Sequence, residues 1–291
     1  MKSQDRFNTG KIFGLSLITT AYKTNRTMVD AYFDSVSNLV CPPGVCFEII
    51  YVVDGDEDLY RYVELRAKNA APNIHIVSNG NNRGLCYSRN YAMEIAKFDY
   101  SLIIDADDIL MPDAVIAIVD FIETNPSVDF AFGSAPTIDK DGNLLGIRYT
   151  RDSFREFVDH SYSLHNPIFY RIFVMHPILL KNKSIREMGG FDVKLPSGLG
   201  DLTDLFLRSF LSRLTIRYIE PLIYLYRIHE SGLSSGKEKM AKHNNRIFSL
   251  SRAIKGEFGV TPFISKYGYV KPYNLYQYAV EVPGIGRIDQ I

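Results

Sequence analysis

Three carboxylates crowd into Asp105-Ala106-Asp107-Asp108, directly after the apolar run Tyr100 to Ile104. Acids this close repel one another unless a cation intervenes. Hard oxygen donors with open positions suit Mg²⁺ or Mn²⁺, which bridge to the phosphates of a substrate. The competing reading is an acidic flank, favoured by the dipole of a helix expected near Pro112. Asp-x-Asp spacing alone decides nothing, because it recurs at 54–56, 56–58 and 139–141. The last pair sits in Asp139-Lys140-Asp141-Gly142-Asn143, a hairpin-turn signal between Ile138 and Leu144 where Asp serves the backbone. Asp54, Asp56 and Asp58 begin like a calcium loop. However, Leu59 stands where its Gly is due and Leu65 where its bidentate Glu is due.

A phosphate-bearing ligand of nucleotide type needs further contacts. Asp54 offers an acceptor to a base edge. Thr20, Ala21 and Tyr22 offer backbone groups and a ring face. Arg83, beside Gly84, and Arg89 offer cations to phosphate or base. Each of these also has an ordinary reading as a loop or helix-surface residue. Neither a Walker pattern nor a Gly-x-Gly-x-x-Gly run follows the first apolar segment, which argues against a P-loop NTPase or a Rossmann dehydrogenase. His229 precedes Ser231-Gly232-Leu233-Ser234-Ser235-Gly236, a segment able to close as a lid. His165 and His176 read as structural, and Cys86 as a packed thiol.

The elements that must position these residues follow from periodicity. Ile12 to Thr19, Phe47 to Val53, Ile74 to Val77 and Tyr100 to Ile104 are apolar runs of strand length. Helices are expected between them: one capped by Thr27 with Asp30 and burying Val29, Phe33, Val36 and Val40, one over Leu59 to Ala70, and one over Leu85 to Ala96. A fourth, with Pro112 in its first turn, buries Val115, Ile118, Val119 and Ile122. Strand and helix therefore alternate through 12–125, the pattern of a parallel sheet covered on both faces. Ligands of such sheets sit beyond the carboxyl ends of the strands. The loops 20–26, 54–58, 79–84 and 105–108 all fall at that edge. The second part, 126–235, is less regular. Strands are expected over Val128 to Phe132, Phe169 to Met175 and within Ile216 to Arg227, with a helix over Asp201 to Ser212. Residues 236–291 read as a separate extension: a basic helix over Lys237 to Glu257, then a tyrosine-rich tail.

Composition narrows the class. Lys plus Arg and Asp plus Glu number 33 each in 291 residues, so no net charge draws the chain to nucleic acid. Cys41, Cys46 and Cys86 form neither a disulfide framework nor a Cys-x-x-Cys zinc pair, which suits a reducing, cytoplasmic setting. No apolar stretch approaches the ~20 residues of a membrane span. The basic helix allows a peripheral contact at the inner membrane face, against the simpler reading of a solvated surface.

Taken together, the segments resemble a known family. Thr19-Thr20-Ala21-Tyr22, Val53-Asp54-Gly55-Asp56, Asn82-Arg83-Gly84-Leu85-Cys86-Tyr87-Ser88-Arg89-Asn90 and Asp105-Ala106-Asp107-Asp108 occur in the order found in family 2 glycosyltransferases. Met188-Gly189-Gly190-Phe191-Asp192, Asp201-Leu202-Thr203-Asp204-Leu205-Phe206-Leu207-Arg208 and Tyr226-Arg227-Ile228-His229-Glu230-Ser231-Gly232-Leu233-Ser234 continue that resemblance. It spans roughly 12–235 and implies an α/β GT-A fold with a mostly parallel central sheet flanked by helices. It also implies transfer of a sugar, with inversion, from a nucleotide diphosphate, a UDP-sugar by family habit. The acceptor would be a glycan or a lipid-linked glycan.

By resemblance, Asp54 would bind the base, Asp105 would lie near the ribose with Ala106 also in the nucleotide site, and Asp107 and Asp108 would hold Mn²⁺ or Mg²⁺ on the diphosphate. His229 would approach the same diphosphate or metal. An acid at the start of the helix near 201 would be the general base. Here the chain departs from the family, because Leu202 stands where the second acid of a Glu-Asp pair is due. Asp201 is the expected base, with Asp204 in reserve; the alternative is that Asp201 only caps its helix. A nucleotidyltransferase of similar fold and a non-catalytic glycan-binding scaffold are the rival readings.

Overall fold

A computed structural model describes residues 13–68, 70, 73–148, 176–195, 200–212, 214–230 and 232, isolated helical positions at 245, 249 and 252, and a short pairing of 281–282 with 286–287. The strand expected at Phe169 to Met175, His165 and most of the basic helix lie outside the described residues.

The first part alternates as the sequence requires. Strand β1 (Phe13–Ala21) is followed by α1 (Arg26–Ser37), β2 (Val45–Val53), α2 (Glu57–Ala67), β3 (Ile74–Ser78), α3 (Leu85–Ile95) and β4 (Tyr100–Asp105). After a two-residue strand β5 (Ile109–Leu110) come α4 (Ala114–Thr124), β6 (Phe130–Gly133), β7 (Ala135–Ile138) and β8 (Leu144–Arg148). Beyond the gap lie β9 (Ile178–Lys181), α5 (Asn182–Glu187), α6 (Asp201–Leu211), β10 (Ile216–Ile219) and β11 (Tyr224–Arg227).

The main sheet has seven strands in the order β10-β6-β9-β4-β1-β2-β3. β1, β2, β3 and β4 pair in parallel, as do β6 and β10, while β9 runs antiparallel between β4 and β6. Adjacent residues of β1 face opposite sides and both sides are buried: Leu15 and Leu17 join the α1, α2 and α4 side, and Ile18 joins the side of α3, α5 and α6. Burying each such side chain contributes about 1.5–3 kcal/mol, which fixes the register that brings Ala21 beside Val53 and Thr20 beside Asp105. A second sheet, β5-β11-β7-β8, crosses beside the carboxyl end of β4 and carries the expected hairpin at 139–143.

Several local expectations are corrected. Asn25, not Thr27, caps α1: its side chain accepts from the Thr27 N–H at 2.9 Å. Asn caps at least as well as Thr, and it lies two residues nearer the strand. Val40 falls beyond the end of α1 and is 51% exposed. Helix α2 starts earlier than expected because Asp56 caps it, accepting from the Leu59 N–H at 3.0 Å. Pro112 precedes α4 instead of entering its first turn.

Candidate functional site

The carboxyl ends of β1, β2 and β4 lie side by side and present Thr20 to Tyr22, Asp54 and Asp105 to one cleft. Asp54 is buried, and its carboxylate is a clamp on the loop after β3. Oδ1 accepts from Asn79 Nδ2 and the Arg83 N–H, both at 2.8 Å, and Oδ2 accepts from the Gly84 N–H at 2.8 Å. Gly55, at φ +74°, lies against this loop so closely that a Cβ would stand 2.0 Å from the Asn82 nitrogen. The Arg83 guanidinium stacks 3.6 Å from the Tyr87 ring and is exposed. Tyr22, one residue past the end of β1, is 45% exposed, with Lys23 Nζ 5.1 Å from its ring centroid.

Arg89 occupies a different position from the one its type suggested. It is 2% exposed and bridges two carboxylates, pairing through Nη2 with Asp105 Oδ1 at 2.7 Å and through Nη1 with Asp201 Oδ2. Burial works against its charge, and Asp201 and Asp105 more than restore it. Its availability to a phosphate or base is therefore corrected: its charge is spent joining β4 to the start of α6.

The acidic cluster divides by partner. Asp105 gives Oδ1 to Arg89 and Oδ2 to His176 Nε2 at 3.2 Å. Burial pushes its carboxyl up, but His176 and Arg89 outweigh that and hold it below the usual range. Asp108 is 1% exposed; Tyr224 Oη donates to its Oδ2 at 2.5 Å and the Arg227 N–H to its Oδ1 at 2.6 Å. Burial, then the charges of Asp107 and Asp105, push its carboxyl well above the ordinary range. Asp107 faces outward. Its Oδ2 meets His229 Nε2 at 2.8 Å, while its Oδ1 accepts no hydrogen bond among the described residues. Ala106, between them, is buried.

One oxygen from each of these three acids lies within 4.8 Å of the others, so the group could hold a metal ion. Oxygen donors with an adjacent imidazole fit a small divalent cation. Asp107 has the open oxygen and a neighbour able to ligate. Asp108 is tied to β11 through both of its oxygens, so its first role is to bring His229, two residues past the end of that strand, to Asp107.

On the opposite wall, α6 packs through Phe206 onto Phe130 and Phe132 of β6, with ring centroids 5.9 and 5.8 Å apart. Asp201, at its first turn, is 6% exposed, and its Oδ1 accepts no hydrogen bond among the described residues. Asp204 is corrected as the reserve base. It is 0% exposed, with Arg208 Nε on Oδ2 at 2.7 Å and Ser249 Oγ on Oδ1 at 2.6 Å, so it has no face toward a substrate. Leu202, at the missing acid's position, packs against the apolar core of this wall.

Sequence reasoning missed several residues that build the site. His176 stacks on Tyr224, ring centroids 5.1 Å apart at 12°, and donates from Nδ1 to the Ile103 carbonyl at 3.2 Å. Tyr224 also accepts from the Asp105 N–H at 3.0 Å. Arg227 Nε donates to the Asp107 carbonyl at 2.8 Å. Asn90 closes a two-way amide pair with Phe191, donating to its carbonyl at 2.8 Å and accepting from its N–H at 2.7 Å. Asn90 and Arg227 lay inside quoted motifs, His176 was read as structural without its link to Asp105, and nothing local marked Tyr224. Cys86 is buried, its thiol pushed up to about 12 by burial and then by Asp201, as expected of a packed thiol.

The sheet order, the crossing second sheet and an acidic edge between them define a GT-A fold. Solved structures support that description at the level of fold. TarS of S. aureus superposes with a TM-score of 0.56 at 17% identity, covering 86% of this chain and 76% of that one. TarS has also been solved with UDP and with UDP-GlcNAc. The mannosyltransferase PcManGT of Pyrobaculum calidifontis, solved with GDP-Man and Mn²⁺, superposes with a TM-score of 0.60 at 14% identity, covering 83% of this chain and 64% of that one.

The chain belongs to glycosyl transferase family 2, whose family model matches residues 16–180. An uncharacterized glycosyltransferase of Methanocaldococcus jannaschii is 24% identical over 220 residues, 74% of this chain and 70% of the relative. A glucosyl-dolichyl phosphate glucuronosyltransferase of Haloferax volcanii is 27% identical over 112 residues, 38% of this chain and 35% of that protein. No helix among the described residues is long and apolar enough to cross a membrane.

Proposed function

We propose that this glycosyltransferase moves a sugar, with inversion, from a nucleoside-diphosphate donor to a hydroxyl of a glycan or lipid-linked acceptor. A UDP-sugar is the proposed donor. The observation that supports the reading is two sets of contacts that meet at the 105–107 segment, Asp107–His229 and Asp105–Arg89–Asp201, one ending on a metal-competent carboxylate and the other on a carboxylate with an open oxygen. Asp107 and His229 would hold Mn²⁺ or Mg²⁺ against the diphosphate. When bound, the cation would stabilise the negative charge of the departing nucleotide.

Asp201 Oδ1 takes the acceptor's proton as the hydroxyl oxygen attacks the anomeric carbon on the face opposite the leaving group. Arg89 holds Oδ2 and so fixes the direction of that oxygen, and alignment of donor and acceptor supplies much of the remaining barrier reduction. Thr20, Ala21, Tyr22 and the 83–84 loop line the donor side, with Asp54 ordering that loop from below. The acceptor class, together with the basic helix expected after Lys237, fits work at the inner face of a membrane.

The test is donor hydrolysis across UDP-, GDP-, dTDP- and CMP-sugars, with Mn²⁺ and with EDTA. Metal-dependent release of one nucleotide is the expected result. Silence across the panel, with no nucleotide binding by calorimetry, would overturn the reading in favour of a non-catalytic scaffold.

A further inference from the structure

Two acids of the resemblance motifs do not face the cleft. Asp192, closing Gly189-Gly190-Phe191-Asp192, pairs with Arg252 Nη1 and accepts from the Lys194 N–H at 2.9 Å. Burial alone would raise its carboxyl; Arg252 and the Lys194 N–H outweigh it. Asp204, on α6, accepts from Ser249 at 2.6 Å. Asn245, Ser249 and Arg252 are each helical, and Asn245 and Ser249 are 4% and 2% exposed. All three lie well beyond the family match at 16–180.

We infer that Ser249 and Arg252 belong to the transfer site as positioning residues for the wall that carries Asp201. The inference rests on the reading of Asp201 as the base. Asp201 stands one helical turn before Asp204. The Arg89 contact at Asp201 and the Ser249 contact at Asp204 fall about one turn apart on the same face of α6. Arg252 does the same for the loop ending at Asp192, whose inner edge Asn90 grips through Phe191. The acidic first turn of α6 is thus held between α3 and a segment about 45 residues downstream. Removing Ser249 leaves one oxygen of the buried Asp204 without its donor, and removing Arg252 leaves the part-buried Asp192 with the Lys194 N–H; either change loosens the wall. Neither Ser249 nor Arg252 makes these contacts with a residue of β1, β2 or the 79–84 loop.

The experiment uses the full chain, the nucleotide-sugar selected by the panel above, and water as acceptor. Ser249→Ala, Arg252→Met and their combination are compared with Ser249→Thr and Arg252→Lys. The combined variant is expected to lose roughly 10- to 100-fold in kcat, with KM for donor and calorimetric Kd for the nucleoside diphosphate with Mn²⁺ unchanged. The conservative pair recovers most of the rate. A lowered Tm with unchanged kcat would make the contacts merely stabilising and overturn the inference; so would loss of nucleotide binding in step with kcat. If the combined variant fails to fold, the single variants are read by the same criteria. Asp201→Asn runs in parallel. If it keeps its turnover, the base assignment fails and this inference with it. If it is silent while the Ser249 and Arg252 variants turn over normally, only this inference fails.

Discussion

The two walls of the cleft hold their carboxylates by different means. On the donor wall, Asp54 is satisfied from residues 79, 83 and 84, two of the three donors being backbone N–H groups of a single loop. On the facing wall, Asp201, Asp204 and Asp192 are held by Arg89, Arg208, Ser249 and Arg252, side chains drawn from three separate parts of the chain. Backbone donors come with the fold, so the first arrangement tolerates side-chain change around it. The second depends mainly on particular side chains, with one backbone donor, the Lys194 N–H at Asp192, among them. A wall built from side-chain pairs can diverge with the acceptor it serves, while the wall that meets the nucleotide stays fixed by loop geometry.

Four substitutions would break or sharpen this contrast. Asp201→Asn keeps the shape of the far wall and removes its proton acceptor. Turnover should fall by about 10²–10⁴-fold with nucleotide binding intact, read by donor hydrolysis beside calorimetry. Near-normal turnover would remove Asp201 from the chemistry. Arg89→Met strips the buried cation from two carboxylates at once and should cost about 3–5 kcal/mol in urea unfolding, the largest stability effect in the cleft. A loss below that of Asp54→Ala would mean the far wall does not rely on the guanidinium. Asp54→Ala should cost about 1–3 kcal/mol, with faster amide exchange confined to 79–84 and weaker nucleotide binding. Exchange spreading into α6 would show that the walls are not independent. Gly190→Ala combines a φ of +68° with a Cβ 2.5 Å from Asn90 Oδ1, and a loss of about 1–2 kcal/mol in Tm-derived stability is expected.

The same contrast explains what the sequence could reveal. β1 to β4 and the helices between them are announced by buried apolar runs and by turn residues at their ends. Their errors are short-range ones, such as a cap taken two residues late at Thr27, or Val40 counted into a helix already ended. The convergence of loops 20–26, 54–58, 79–84 and 105–108 follows from parallel topology alone. The far wall leaves no such trace. Arg89 meets Asp201 across 112 residues, and Tyr224 meets Asp108 across 116. No periodicity encodes such pairs. Arg89 and Asp204 were legible as charged residues in motifs, and both turned inward because a buried partner was waiting for each. Asp105 kept its place at the sheet edge, but His176, Tyr224 and Arg227 had to be seen in three dimensions before its neighbours could be named.

Helix α3 carries Ser88, Arg89 and Asn90 in succession, about 100° apart around its axis. Ser88 reaches Asn79 of the donor loop, Arg89 reaches both β4 and α6, and Asn90 reaches the backbone of Phe191. Just over half a turn of helix therefore works as a fulcrum between the two walls. Any breathing of the cleft that rotates or slides this helix must strain contacts on both sides together. The amides around Ser88 to Asn90 should therefore exchange with deuterium among the slowest in the chain, and the gap between donor and acceptor should have the stiffness of that one turn.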